Sequence, residues 1–220
     1  MILLLLGLVG CPGESICPEG MVLVPKATVV LGVDSPTRRW HEAAREVAVP
    51  DTCMDRYEYP NKTGDIPRVL VSWEEAGAIC AAQEKRLCTS DEWERACRGT
   101  TRNLYAYGNQ REAKRCNTPL EDGSGSPPFP MSKAGSHGKC VNKEGVADLN
   151  GNVSEWVADP WSGGPEPFQP DAKVDPATWR TLRGGTMWRQ TFYGQDCSSR
   201  HGHKKTDLHA DDGFRCCKTP

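Results

Sequence analysis

KRLCTSDEWERACRG, residues 85–99, contains a helix start and a helix stop in close succession. Thr89 and Glu92 have the spacing of a capping box, in which the threonine oxygen meets a free backbone N–H and the glutamate reaches back to the cap. Gly99 follows as a stop. Upstream, Ser72-Trp73-Glu74-Glu75 repeats the device ahead of WEEAGAICAAQ (73–83), which is rich in helix formers. Two short helices are therefore expected, with Cys80 in the first and Cys97 in the second. Further out the pattern becomes extended. MVLVPKATVVLG (21–32) alternates and carries β-branched residues, reading as a strand, a turn at Pro25-Lys26 and a second strand. A charged stretch with Arg38, Arg39, His41 and Glu42 reads as a loop. REVAVPDTCMDRYEYPN (45–61) reads as one more extended segment ending at Pro60-Asn61. Residues 100–182 are loop-heavy, with EDGSGSPPFP and PWSGGPEPFQPD as breaker clusters.

The chain has 220 residues, enough for one sizeable core. Its net charge of −2, with Lys and Arg scattered, leaves no basic face for a phosphate backbone, so nucleic acid is not an expected partner. Eleven cysteines without a CxxC pair point to an oxidising compartment and a disulfide framework. MILLLLGLVGC is a short apolar run ending in small residues, as in a secretory leader, and is too short to span a bilayer. Its end, Leu8-Val9-Gly10-Cys11, resembles the lipobox of bacterial lipoproteins. That resemblance implies a signal peptide over 1–10, a lipidated Cys11 opening a tether over 11–20, and a domain over 21–220. Acyl chains would hold the domain at a membrane surface without spanning it, on the outer membrane or the periplasmic face given Pro12 after the lipidated residue. Ten cysteines would then remain, enough for five bridges.

The ordered series MVLVPKATVVLG, DRYEYPN, VSWEEAGAICA, KRLCTSDEWERACRG, DLNGNVSEWV, LRGGT and DGFRCC resembles the formylglycine-generating enzyme family, also called the sulfatase-modifying factor domain, over about residues 21–220. The resemblance implies an α+β fold of the irregular C-type-lectin-like kind, low in regular secondary structure and rich in disulfides. It implies a structural calcium held by Asp148, the carbonyls of Gly151 and Val153, and Glu155. The glycine in that loop permits a tight turn, and carboxylates mixed with carbonyls are the donors that Ca²⁺ accepts. A second calcium would begin at Asn117. The family likeness also implies the pairs Cys80–Cys216 and Cys97–Cys197, and gives Glu58, Arg200 and Arg215 framework roles. Cys116 and Cys140 bracket the Gly-Ser-Pro loop and can close it. The pairing of Cys17, Cys53, Cys88 and Cys217 stays open.

The oxidases of the family bind Cu(I) through two cysteines between the RGG segment and the following half-cystine, because soft thiolates select that ion. In this sequence the two positions fall on Arg189 and near Gly194, and residues 184–196 contain no cysteine. Copper is therefore not an expected cofactor, and formylglycine generation by that mechanism is not an expected activity. The expected function is that of a cell-envelope lipoprotein whose domain does binding or structural work on a peptide, a glycan or an envelope protein. Trp188, Phe192 and Tyr193 are candidates for a surface groove. A different class, an oxidoreductase with a substitute reagent, would need a free thiol or a metal. His201 and His203, two apart on a strand, would share a face and form a possible transition-metal pair, with His209 nearby; the competing reading is a solvated loop.

Overall fold

The computed structural model describes residues 16–34, 41–118, 130–163, 173–185 and 195–220. The leader, the tether start with Cys11, and the segment with Trp188, Arg189, Phe192, Tyr193 and Gly194 lie outside the described residues. The chain runs through β1 (Met21–Val24), β2 (Ala27–Leu31), β3 (Arg45–Val49), β4 (Thr52–Asp55), α1 (Trp73–Ala81), β5 (Arg86–Leu87) and α2 (Ser90–Arg98). It continues through β6 (Ser154–Pro160), β7 (Trp179–Arg183), β8 (Arg200–Lys204), β9 (Asp212–Phe214) and β10 (Cys216–Lys218). No helix among the described residues is long and apolar enough to cross a membrane.

Both capping boxes form. Ser72 accepts from Glu75 N while Glu75 Oε2 accepts from Ser72 N at 2.9 Å, and Thr89 and Glu92 do the same at the head of α2, with Thr89 N 2.8 Å from Glu92 Oε2. Gly99 ends α2 at φ 62°, a left-handed conformation in which a side chain is strained.

The break at Pro25-Lys26 does not make a hairpin. β1 pairs with β4, with Val24 opposite Thr52, and β2 pairs with β3, with Ala27 opposite Val49. The four strands are one antiparallel ribbon bent where Pro25 and Pro50 interrupt the ladder, since neither proline has an N–H to give. The same bend splits the segment 45–61, expected as one extended stretch, into two strands that serve different sheets. The inner half belongs to the sheet β1-β4-β10-β5, the outer half is the two-stranded β2-β3, and a third sheet has the order β8-β7-β6-β9. β6 and β7 fall inside the stretch expected to be loop-heavy.

Helix α2 lies among the three sheets, and eight of its nine residues are buried. Trp93 and Cys97 belong to the core shared with Val24, Met54 and Leu149, while a second core groups Cys80, Cys216, Trp156, Leu182 and Phe214. Even its charges face inward. Glu94 accepts from Gly32 N at 2.7 Å and from Arg98 Nη1 at 3.1 Å, and lies 3.0 Å from Arg183 of β7. Buried charges are tolerable only when paired in this way. Glu92 holds Arg86 at 2.6 Å and Thr52 at 3.1 Å, so the helix is tied to β5 and β4 as well.

Five disulfides join Cys17 to Cys53, Cys80 to Cys216, Cys88 to Cys217, Cys97 to Cys197 and Cys116 to Cys140. The adjacent Cys216 and Cys217 point to opposite sides of β10, one toward α1 and the other toward Cys88 just before α2. Three bridges span 100 or more residues, at separations of 136, 129 and 100, and so restrict the unfolded chain most strongly.

Candidate functional site

Three polar constellations stand out, and all three involve elements around the third sheet.

The first is the loop DLNGNVSEW. Asp148 and Asn152 take positive φ (59° and 62°), and Gly151 sits at φ 80°. A Cβ on Gly151 would lie 2.3 Å from Asn117 O, so no other residue fits there. Asn150 accepts from Ala106 N at 2.9 Å and donates to Gln195 O at 2.8 Å. Asn152 accepts from Asn117 Nδ2 at 2.9 Å and donates to Glu58 Oε2 at 2.7 Å. Glu58 also takes Val153 N at 3.2 Å, which gives this acidic residue its structural partner. The loop therefore gathers segments near 58, 106, 117 and 195. Asn117 is bound into this same loop through its main chain and side chain, and the described residues show no separate ligand set around it.

Glu155 has partners that its motif does not name. Both of its oxygens lie 2.6 Å from the Arg215 guanidinium, and Oε2 is also 2.8 Å from Trp93 Nε1. Asp148 accepts from Gly135 N at 3.2 Å. Burial raises the Glu58 carboxyl well above its usual range, reinforced by repulsion from Asp148 and Glu155 and only partly offset by Arg215. Asp148 is raised too, chiefly by burial. Three buried carboxylates thus share one guanidinium, a surplus of negative charge that suits a cation. The carbonyl oxygens of Leu149 and Val153 both face Gly184, within 3.6 Å of where its Cβ would stand. The donors fit a calcium ion in part, with main-chain oxygens available and Glu155 already charge-paired.

The second constellation borders the segment 186–194. Asp196 accepts from Ser198 N at 2.9 Å and Ser199 Oγ at 2.9 Å, and lies 3.7 Å from His41 Nε2. Its carboxyl is held far below the usual range, because hydrogen bonds from His41, Ser198 and Ser199 outweigh the upward push of burial. Serine, histidine and aspartate are together here, but a nucleophilic triad needs the imidazole between serine and carboxylate. Asp196 instead binds Ser199 directly, so the cluster caps the turn and does not activate a hydroxyl. Beside it Arg200 is 2.9 Å from Glu42 and stacks at 4.8 Å over Trp161, whose ring packs on Gly202 so closely that a Cβ there would lie 2.1 Å from it.

The third is a histidine cluster on the other face of β8. Alternation puts Arg200 and Gly202 on the Trp161 side and His201 and His203 on the opposite side. His203 Nδ1 lies 2.7 Å from Asp212 Oδ2 of β9, and its ring is 5.0 Å from His201 and 4.2 Å from His209. His201 and His203 are therefore strand-borne, whereas His209 reaches them from the partly exposed 205–211 turn. Asp212 lies only nine residues beyond His203, yet the sequence does not name it as their partner; the acidic pair Asp211-Asp212 before GFRCC is its signal.

A family model for the Sulfatase-modifying factor enzyme 1-like domain matches residues 38–220. The chain is 33% identical over 168 residues to the inactive C-alpha-formylglycine-generating enzyme 2 of Mus musculus, covering 70% of this chain and 50% of that protein. It is 31% identical over 204 residues to the formylglycine-generating enzyme of Thermomonospora curvata, covering 81% and 65%. The chain thus spans about half to two thirds of the length of these relatives. Among solved structures it is similar to PvdO from Pseudomonas aeruginosa, with TM-score 0.68 and 18% identity over 90% of this chain and 93% of that one, a likeness of fold.

Proposed function

Because the chain belongs to the sulfatase-modifying factor enzyme 1-like family, whose fold it has, we propose that it is a member without copper-dependent oxidation that serves as a binding or structural module of the bacterial cell envelope, anchored by lipid on Cys11. The observation that carries this reading is the absence of any cysteine in residues 184–196, the stretch where the family's copper thiolates would stand, while Cys197 just beyond is spent on Cys97. Every cysteine among the described residues is bridged, so an oxidoreductase of the thiol kind finds no reagent there. A relative at 33% identity carries the name of an inactive formylglycine-generating enzyme, which is compatible with the same loss.

In this reading the fold works as a rigid frame. Five bridges and the buried ion pairs around α2 fix the frame, with Arg183 at the end of β7 held by Glu94 and Cys197 ahead of β8 held by Cys97, and loops on a rigid frame are where binding residues gather. The partner classes are an envelope protein, a peptide or a glycan. A calcium ion belongs to the same reading, held at the 148–155 loop by the main-chain oxygens of Gly151 and Val153 and balanced by Asp148 and Glu155; its support is the surplus of buried negative charge. When bound it would supply charge and rigidity, with no chemical step.

The experiment is direct. The domain is incubated with Cu(I), oxygen and a cysteine peptide taken from a sulfatase, and aldehyde is sought by mass spectrometry. No aldehyde is the expected result, and turnover would refute the reading. The anchor is tested separately by radiolabelled palmitate incorporation, expected in the full chain and lost in Cys11→Ala.

A further inference from the structure

We propose that His201, His203 and Asp212 form a binding site for one divalent transition-metal ion of the zinc class, closing β8 onto β9 across the face of the third sheet. The strands that supply these residues are its two edges, in the order β8-β7-β6-β9, yet the three side chains offer ligand atoms that all lie within 4.8 Å of one another. Among the described residues no other group of three or more His, Cys, Asp or Glu side chains converges in this way.

Burial supports the assignment. His201 and Asp212 are 3% and 1% exposed, and the His203 side chain is 12% exposed. Asp212 uses Oδ2 on His203 Nδ1, while Oδ1 is buried and accepts no hydrogen bond. A buried carboxylate oxygen left unsatisfied is destabilising, and an ion beside it removes that cost.

The donor types decide which ion. Nitrogen from two imidazoles with one carboxylate oxygen suits Zn²⁺, Co²⁺, Ni²⁺ or Fe²⁺. It does not suit Ca²⁺, which wants oxygen throughout, and the lack of thiolate disfavours Cu(I). With ligand bonds of about 2.0–2.2 Å a tetrahedral ion holds two donors roughly 3.4 Å apart, so ligand atoms that now lie within 4.8 Å of one another have to close by at most about 1.4 Å. The ion would stand between His203 Nδ1 and Asp212 Oδ2 and replace their direct hydrogen bond. The His209 ring lies over His203 and is half exposed, which leaves an entry path along the 205–211 turn. The site stands on the face of β8 opposite Arg200 and Trp161 and is independent of the proposed loss of oxidase activity.

The test uses the full domain without a histidine tag, stripped with EDTA and titrated with Co²⁺ and Zn²⁺. The expected result is one equivalent of each, a visible d–d band for Co²⁺ that Zn²⁺ abolishes, and protection of a histidine on β8 from carbethoxylation. Asp212→Asn and His203→Gln should each weaken binding by about tenfold or more. Should both variants fail to fold, the Co²⁺ band and the protection of His201 or His203 in the unaltered protein still decide the matter. No retained metal and no band, or folded variants that bind as tightly as the parent, would overturn the site.

Discussion

Cys197 is bonded to Cys97 of α2, so the residue that ends the cysteine-free segment 184–196 is fixed to the most buried helix of the fold. Both sulfurs also lie near the Asn150 side-chain amide, at 3.7 and 3.9 Å, which joins the bridge to the 148–155 loop. The bridge closes a loop of 100 residues, a span for which the chain-entropy account gives roughly 4–5 kcal/mol. The pair Cys97→Ala with Cys197→Ala is expected to lower stability on that scale in chemical denaturation. A change below about 1 kcal/mol would mean that the bridge contributes little.

Arg215 and Glu155 form the second joint. Burial works against the guanidinium's charge, but Glu155 first, then Glu58 and Asp148, hold it ionised. Removing the cation leaves three carboxylates facing one another in the interior. Arg215→Met is expected to cost about 3–5 kcal/mol or to prevent folding, whereas Arg215→Met combined with Glu155→Gln recovers part of the loss. The check is a double-mutant cycle in urea, and additive effects would contradict the pairing.

Acid stability should report Asp196. Its folded pKa lies below the ordinary value of 3.8, so it contributes stability above that value, and the contribution is lost as pH falls below about 4. Asp196→Asn is expected to lower the melting temperature at pH 7 and to flatten its fall between pH 4 and pH 2. Parallel curves for parent and variant would rule out the cap around Ser198, Ser199 and His41.

Calcium is tested through its energetic coupling to the fold. An ion that binds the folded loop stabilises it by mass action, so chelation is expected to lower the melting temperature. Asp148→Ala together with Glu155→Ala should remove the sensitivity. A melting temperature indifferent to chelator and to added Ca²⁺ would contradict the proposed ion.

The two helices were legible because a capping box is local: Ser72 with Glu75 and Thr89 with Glu92 need only a spacing of three. The fold class was legible from a series of short motifs in one order, a resemblance and not a derivation. What escaped the reading is long-range. Nothing near Pro25 or Pro50 says that both bend one ribbon into two sheets, and the nine-residue step from His203 to Asp212 does not reveal that β8 and β9 are opposite edges of one sheet. Glu155 shows what a motif leaves out: nothing in GNVSEW names Trp93 or Arg215, each 60 or so residues away, as the partners of its oxygens.

The most direct measurement of the central claim is disulfide mapping under non-reducing conditions, with alkylation of free thiols, on protein exported to an oxidising compartment. Five bridged pairs are expected, Cys97–Cys197 among them, with no alkylated cysteine from Cys17 to Cys217. Two alkylated cysteines in that range that also bind Cu(I) would contradict it, because the protein would then hold the reagent of an oxidase.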